Sequence, residues 1–98
     1  MKKIRNIHPG EILREEFMIP MNLSAYKLAK ETHIQPTRIT QIIHEKRAIS
    51  SDTALRLSKF FGNSADFWMG LQVEYELRNK KLQIKDDLET IHQYSQAI

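Results

Sequence analysis

Leu28-Ala29-Lys30-Glu31-Thr32-His33-Ile34-Gln35-Pro36-Thr37-Arg38-Ile39-Thr40-Gln41-Ile42 is the stretch on which the fold turns. Ser24, just upstream, is suited to cap a helix over about 25–32, and Leu28 and Ala29 form its inner face. Pro36 suits the start of a second helix over about 35–44, because the first helical turn has no use for its missing N–H. Ile39, Ile42 and Ile43 recur there at helical spacing and turn inward. Only Thr32, His33 and Ile34 separate the two helices, so they must cross steeply. Ala29 is small where the backbones approach, and Leu28, Ile34, Ile39 and Ile42 supply apolar contact on both sides of the turn.

This is the residue pattern of a DNA-binding helix-turn-helix, with an ordinary helical hairpin as the alternative. The second helix then presents Thr37, Gln41 and His44 outward at i, i+4 and i+7, with Thr40 beside them and Gln35 and Arg38 at its start. None of these residues is acidic, so the face suits a phosphate backbone. Glutamine can pair bidentately with adenine, and a threonine methyl can pack on the thymine methyl. A merely solvated polar face is the competing reading. Lys46 and Arg47 follow in the next loop, where cations would meet sugar-phosphate without reading sequence. Ser50 and Ser51 could add phosphate contacts at the following helix start.

Working outward, the remaining chain reads as more helix. Pro9 opens a first helix over about 9–18, with Ile12, Leu13 and Phe17 inward and Pro20 as its stop. Ser50 or Ser51 starts a fourth helix carrying Ala54, Leu55, Leu57, Ser58 and Phe61, which Gly62 ends. Ser64 and Asp66 open a fifth, along which Phe67, Trp68, Leu71 and Tyr75 form an aromatic stripe for core or dimer contact. A last short helix is expected near 86–95. The reading is therefore all-α, with a helix-turn-helix domain over 1–79 and a polar tail over 80–98.

The 98 residues, 41% hydrophobic and 28% charged, fit one globular domain. Residues 1–50 hold nine Lys/Arg against five Asp/Glu, and residues 51–98 hold six against seven, so the net +3 is concentrated in the first half. A basic half is consistent with a polyanion partner. Cysteine is absent, which excludes disulfides and thiol catalysis. The longest apolar run, about Phe17 to Met21, is far short of the ~20 residues of a spanning helix. Lys2, Lys3 and Arg5 could mimic a leader, but His8, Pro9, Gly10 and Glu11 stand where its apolar core should be. A cytoplasmic protein without a membrane partner is expected. His8, His33, His44 and His92 include no i, i+4 pair of the kind a helical metal site uses. Glu15-Glu16 and Asp86-Asp87 point to different faces and make poor acid/base couples. Nothing in the sequence asks for a metal, a cofactor or an enzymatic activity.

Residues 7–71 resemble the HigA/VapI-like antitoxins of the Xre/lambda-repressor-like helix-turn-helix group. The resemblance is carried by His8-Pro9-Gly10-Glu11-Ile12-Leu13, Leu28-Ala29-Lys30 and Arg38-Ile39-Thr40-Gln41-Ile42. It continues through Ile49-Ser50, Thr53-Ala54-Leu55-Arg56-Leu57 and Phe67-Trp68-Met69-Gly70-Leu71-Gln72. It implies a five-helix bundle, usually a homodimer. It also implies binding of double-stranded operator DNA, with repression of the protein's own operon, and of an mRNA-cleaving, RelE-like toxin. A stand-alone repressor and an interaction module without DNA binding are the alternatives. The family commonly has Gly where this chain has His33, and a positive φ there would strain a histidine.

Overall fold

The computed structural model describes residues 5–95. Lys2 and Lys3, weighed above as a leader start, and the last three residues of the tail lie outside them. Six helices make up the described chain, without strands among the described residues. Helix α1 is Pro9–Ile12 and continues directly into a wider π-helical segment, Leu13–Met18. Then come α2 (Ala25–Thr32), α3 (Pro36–Ile43), α4 (Ser51–Phe61), α5 (Ala65–Gln83) and α6 (Lys85–Glu89).

Local chemistry sets most of these limits. The side chains of Ser24, Ser50 and Ser64 accept hydrogen bonds from the N–H groups of Lys27, Thr53 and Phe67. Each satisfies a donor that the first helical turn would otherwise leave free. At α1 the cap is His8, whose Nδ1 accepts from the Gly10 N–H at 2.8 Å. Gly62, at φ 78°, ends α4. The final helix is shorter than the sequence suggested, ending at Glu89 instead of 95. Asp86 and Asp87 favour its N-terminus. The Thr90 hydroxyl then donates to the Asp87 carbonyl, and β-branched Thr90 and Ile91 do little to extend a helix.

Leu13, Leu28, Ile39, Ile42, Ile49, Leu57 and Trp68 form the fully buried centre. The π-helical segment, α2, α3, α4 and the first half of α5 each contribute to it. Trp68 is packed among Phe17, Phe61 and Phe67, with ring centroids at 4.9, 6.0 and 5.0 Å. Its indole N–H donates to Oδ1 of Asn63 at 3.0 Å. The aromatic stripe expected on α5 is thus divided: Trp68 is core, Phe67 is 40% exposed, and Tyr75 sets its ring edge-on to His8. Leu55, read with its helix neighbours, faces solvent. Beyond the core, Val73, Leu77 and Leu82 of α5 are exposed.

Two backbone features hold α3 in place. A Cβ added at Gly10 would lie 1.8 Å from the Ile42 carbonyl oxygen, so α1 touches α3 backbone to backbone. From the opposite side of the sequence, the Gln72 side chain accepts from the Ile49 N–H at 2.8 Å and anchors the chain leaving α3 to α5.

Candidate nucleic-acid interface

The turn between α2 and α3 is a Schellman motif. His33 is left-handed, with φ 58°, and its N–H donates to the Lys30 carbonyl, while the Ile34 N–H donates to that of Ala29. The positive φ raised by the sequence is therefore real, and this chain accommodates it with a histidine. Ile34 is buried beside Leu28 and Ala29, which sets the crossing of the two helices. Arg56 of α4 braces the turn by donating to the carbonyls of Thr32 and His33.

The far end of α3 repeats the device. Glu45 is left-handed, with φ 64°. Its N–H donates to the Ile42 carbonyl, and the Lys46 N–H donates to the Gln41 carbonyl at 2.8 Å. Arg14 of the π-helical segment donates to the Ile43 carbonyl and lies 3.8 Å from the Glu45 carboxylate. The last turn of α3 thus has its carbonyls satisfied, and the chain folds back along its own helix.

Along this frame, Gln35, Thr37, Thr40, Gln41 and His44 are all exposed, with Ile39 and Ile42 fully buried behind them and Ile43 half-buried. Lys46 and Arg47 are exposed where the chain turns back. The eight residues singled out in the sequence therefore lie on α3 or immediately beside it. Three of them have partners that the sequence did not reveal. Arg38 is half-buried and donates to Asp52 at 2.7 Å, while Arg56 reaches the same carboxylate at 3.0 Å. The hydrogen bond from Arg38, then that from Arg56, holds the Asp52 carboxyl below the usual carboxylate range. Arg47 donates to Oε1 of Gln41 at 3.0 Å. The Asp52–Arg56 half of the first cluster has helical i, i+4 spacing and could have been found in the sequence; its reach to Arg38 could not. Ser50 spends its hydroxyl on capping α4, leaving Ser51 exposed at the first position of that helix.

The result is a convex, polar helix face carrying amides, hydroxyls and a histidine, flanked by cations and with its two nearby acids, Asp52 and Glu45, each beside an arginine. Such a face can offer hydrogen bonds to base edges and charge to phosphates. Among the described residues, no group of three or more His, Cys, Asp or Glu could hold a metal ion. No described helix is long and apolar enough to cross a membrane.

Comparison with known proteins places this arrangement in context. The helix-turn-helix family model matches residues 13–68. Virulence-associated protein I of Dichelobacter nodosus is 54% identical over 72 residues, which cover 74% of this chain and 67% of that protein. The structure of the antitoxin HigA of Pseudomonas aeruginosa with the higBA promoter superposes with a TM-score of 0.88 at 38% identity, over 93% of this chain and all of that one. The antitoxin GraA in complex with its operator gives 0.86 at 37% identity, over 99% of this chain and 98% of that one.

Proposed function

The chain belongs to the helix-turn-helix family, and from that membership we propose that it is the antitoxin of a toxin–antitoxin pair, a DNA-binding repressor of its own operon. The observation that carries the reading is the α3 face: exposed Thr37, Thr40, Gln41 and His44, locked between two Schellman turns and flanked by Lys46 and Arg47. The likeness to antitoxins solved with promoter or operator DNA supports it. Gln35, Thr37, Arg38, Thr40, Gln41, His44, Lys46 and Arg47 are assigned to the DNA interface, within a reading domain over 1–79. The stretch 80–98 is an appendage to it. One such module buries too little surface for tight specific binding, so the chain works as a homodimer on an inverted repeat whose half-sites lie about one DNA turn apart. Its second partner is a small mRNA-cleaving toxin of the RelE-like class, met in the cytosol.

The test joins two measurements. The protein is titrated onto the DNA upstream of its own reading frame at several salt concentrations. It is also co-expressed with the product of the neighbouring frame, with growth and co-purification scored. A salt-sensitive, symmetric footprint and rescue of growth are expected. A footprint without rescue would leave a stand-alone repressor, and rescue without a footprint an interaction module.

A further inference from the structure

We infer that Gln41 and Arg47 read DNA as one unit, in which Arg47 orients the Gln41 amide so that the pair selects guanine over adenine. The inference rests on the DNA-reading function proposed above and adds its base specificity.

The geometry begins with the backbone. Glu45 in the left-handed region and the Lys46-to-Gln41 hydrogen bond fold the chain back, which sets Arg47 over the last turn of α3. There its guanidinium donates to Gln41 Oε1 at 3.0 Å. A guanidinium carries donors and no acceptor, so the atom it meets must be the amide oxygen. The amide is thereby oriented, with its NH2 end turned away from Arg47. A free glutamine presents one donor and one acceptor, which suits adenine N7 and N6–H. In this pair Arg47 occupies one of the two lone pairs of the oxygen, and the rest of the edge consists of the Nε2 hydrogens and the remaining guanidinium N–H groups. That edge is rich in donors. Among the purines, guanine alone answers it with two acceptors, N7 and O6. Taken singly, Gln41 suits adenine and Arg47 suits phosphate; the contact between them gives the pair a joint role instead.

Arg47 is thus a positioning residue as well as a cation, and base preference separates the two roles. Selection from random duplex DNA at fixed salt is run on the full chain, on R47A, on Q41A and on the double variant. Circular dichroism confirms that each is folded, since both side chains are exposed. The wild type should prefer guanine to adenine at one position by roughly 5- to 150-fold. R47A and Q41A should each lose that preference at the same position and leave the other positions intact. The double variant should lose no more discrimination there than either single one, as members of one unit do. An R47A protein that binds all sequences more weakly with an unchanged base profile would overturn the inference and leave the DNA-reading function standing. A wild-type preference for adenine at that position would do the same. If no motif is enriched at all, the DNA-reading function falls and the inference with it.

Discussion

Replacing Trp68 with alanine tests the core more sharply than any other single change. Trp68 is the one tryptophan of the chain and is fully buried. A tryptophan buries roughly 150–250 Å². At ~25 cal/mol per Å² this corresponds to about 4–6 kcal/mol, an upper figure because unfolded chains already hide some surface. Measured losses for Trp or Phe to Ala in cores run to about 3–5 kcal/mol. Phe17, Phe61 and Phe67 all lean on the indole, so little can move in to fill the space without breaking ring contacts. Asn63 is half-exposed and can replace its lost partner with water, so the severed hydrogen bond adds little. A loss of about 3–5 kcal/mol from a domain that holds ~5–15 kcal/mol lowers the melting temperature by roughly 12–40 °C. Circular dichroism is the assay, because the substitution removes the fluorophore. Trp68→Phe, which keeps a ring but gives up the indole N–H and some volume, should fall between. A Trp68→Ala protein melting within about 5 °C of wild type would refute the reasoning, since it would mean that this ring cluster is not what holds α5 to the bundle.

Four further outcomes are expected. Gln72→Leu leaves the Ile49 N–H without its acceptor and should cost about 1–3 kcal/mol in urea unfolding despite being more apolar. Gly70→Ala, in mid-helix with nothing within 4 Å of the added Cβ, should raise stability by about 0.5–1 kcal/mol, whereas Gly10→Ala should destabilise or prevent folding. Asp52→Asn should release Arg38 and steepen the salt dependence of DNA binding by about one unit, as read from affinity against salt. Finally, burial lowers the pKa of His8 below its ordinary 6.5. The unfolded chain then binds a proton more readily than the folded one, so stability should be full above about pH 6.5 and fall as the pH is lowered through the folded value. Melts between pH 7.5 and 5 should show this loss, and His8→Ser, which retains a capping oxygen, should flatten it.

Most helix boundaries, the end of α6 excepted, were legible because their causes are local. Pro9, Ser24, Pro36, Ser50, Gly62 and Ser64 each act within a few residues of where they stand, and the structure uses every one of them. The composition of the α3 face was legible for the same reason: inward isoleucines fix what must point out. Contacts spanning longer stretches were hidden. Nothing in the spacing of Arg38 and Asp52, 14 residues apart, or of Gln72 and Ile49, 23 apart, announces a bond. The Gln41–Arg47 contact spans only six residues, yet it depends on Glu45 adopting a left-handed conformation that few side chains advertise. The aromatic stripe on α5 misled in part, because periodicity marks a face without saying how far along it the rest of the bundle reaches.

The contact between Gly10 and the Ile42 carbonyl has a consequence for how such a molecule can change. Side-chain packing sets helix separation by volume, so exchanging a leucine for a methionine shifts neighbours by fractions of an ångström. Where two backbones meet directly, there is no volume to exchange. The pose of α3 relative to α1 is thus insulated from turnover of the surrounding core. Residues such as Leu13 or Leu28 could drift among apolar alternatives while the helix kept its bearing, and new target sequences could be acquired by altering the exposed face alone. A single position on α1 without a side chain thereby uncouples the history of the core from the history of the surface.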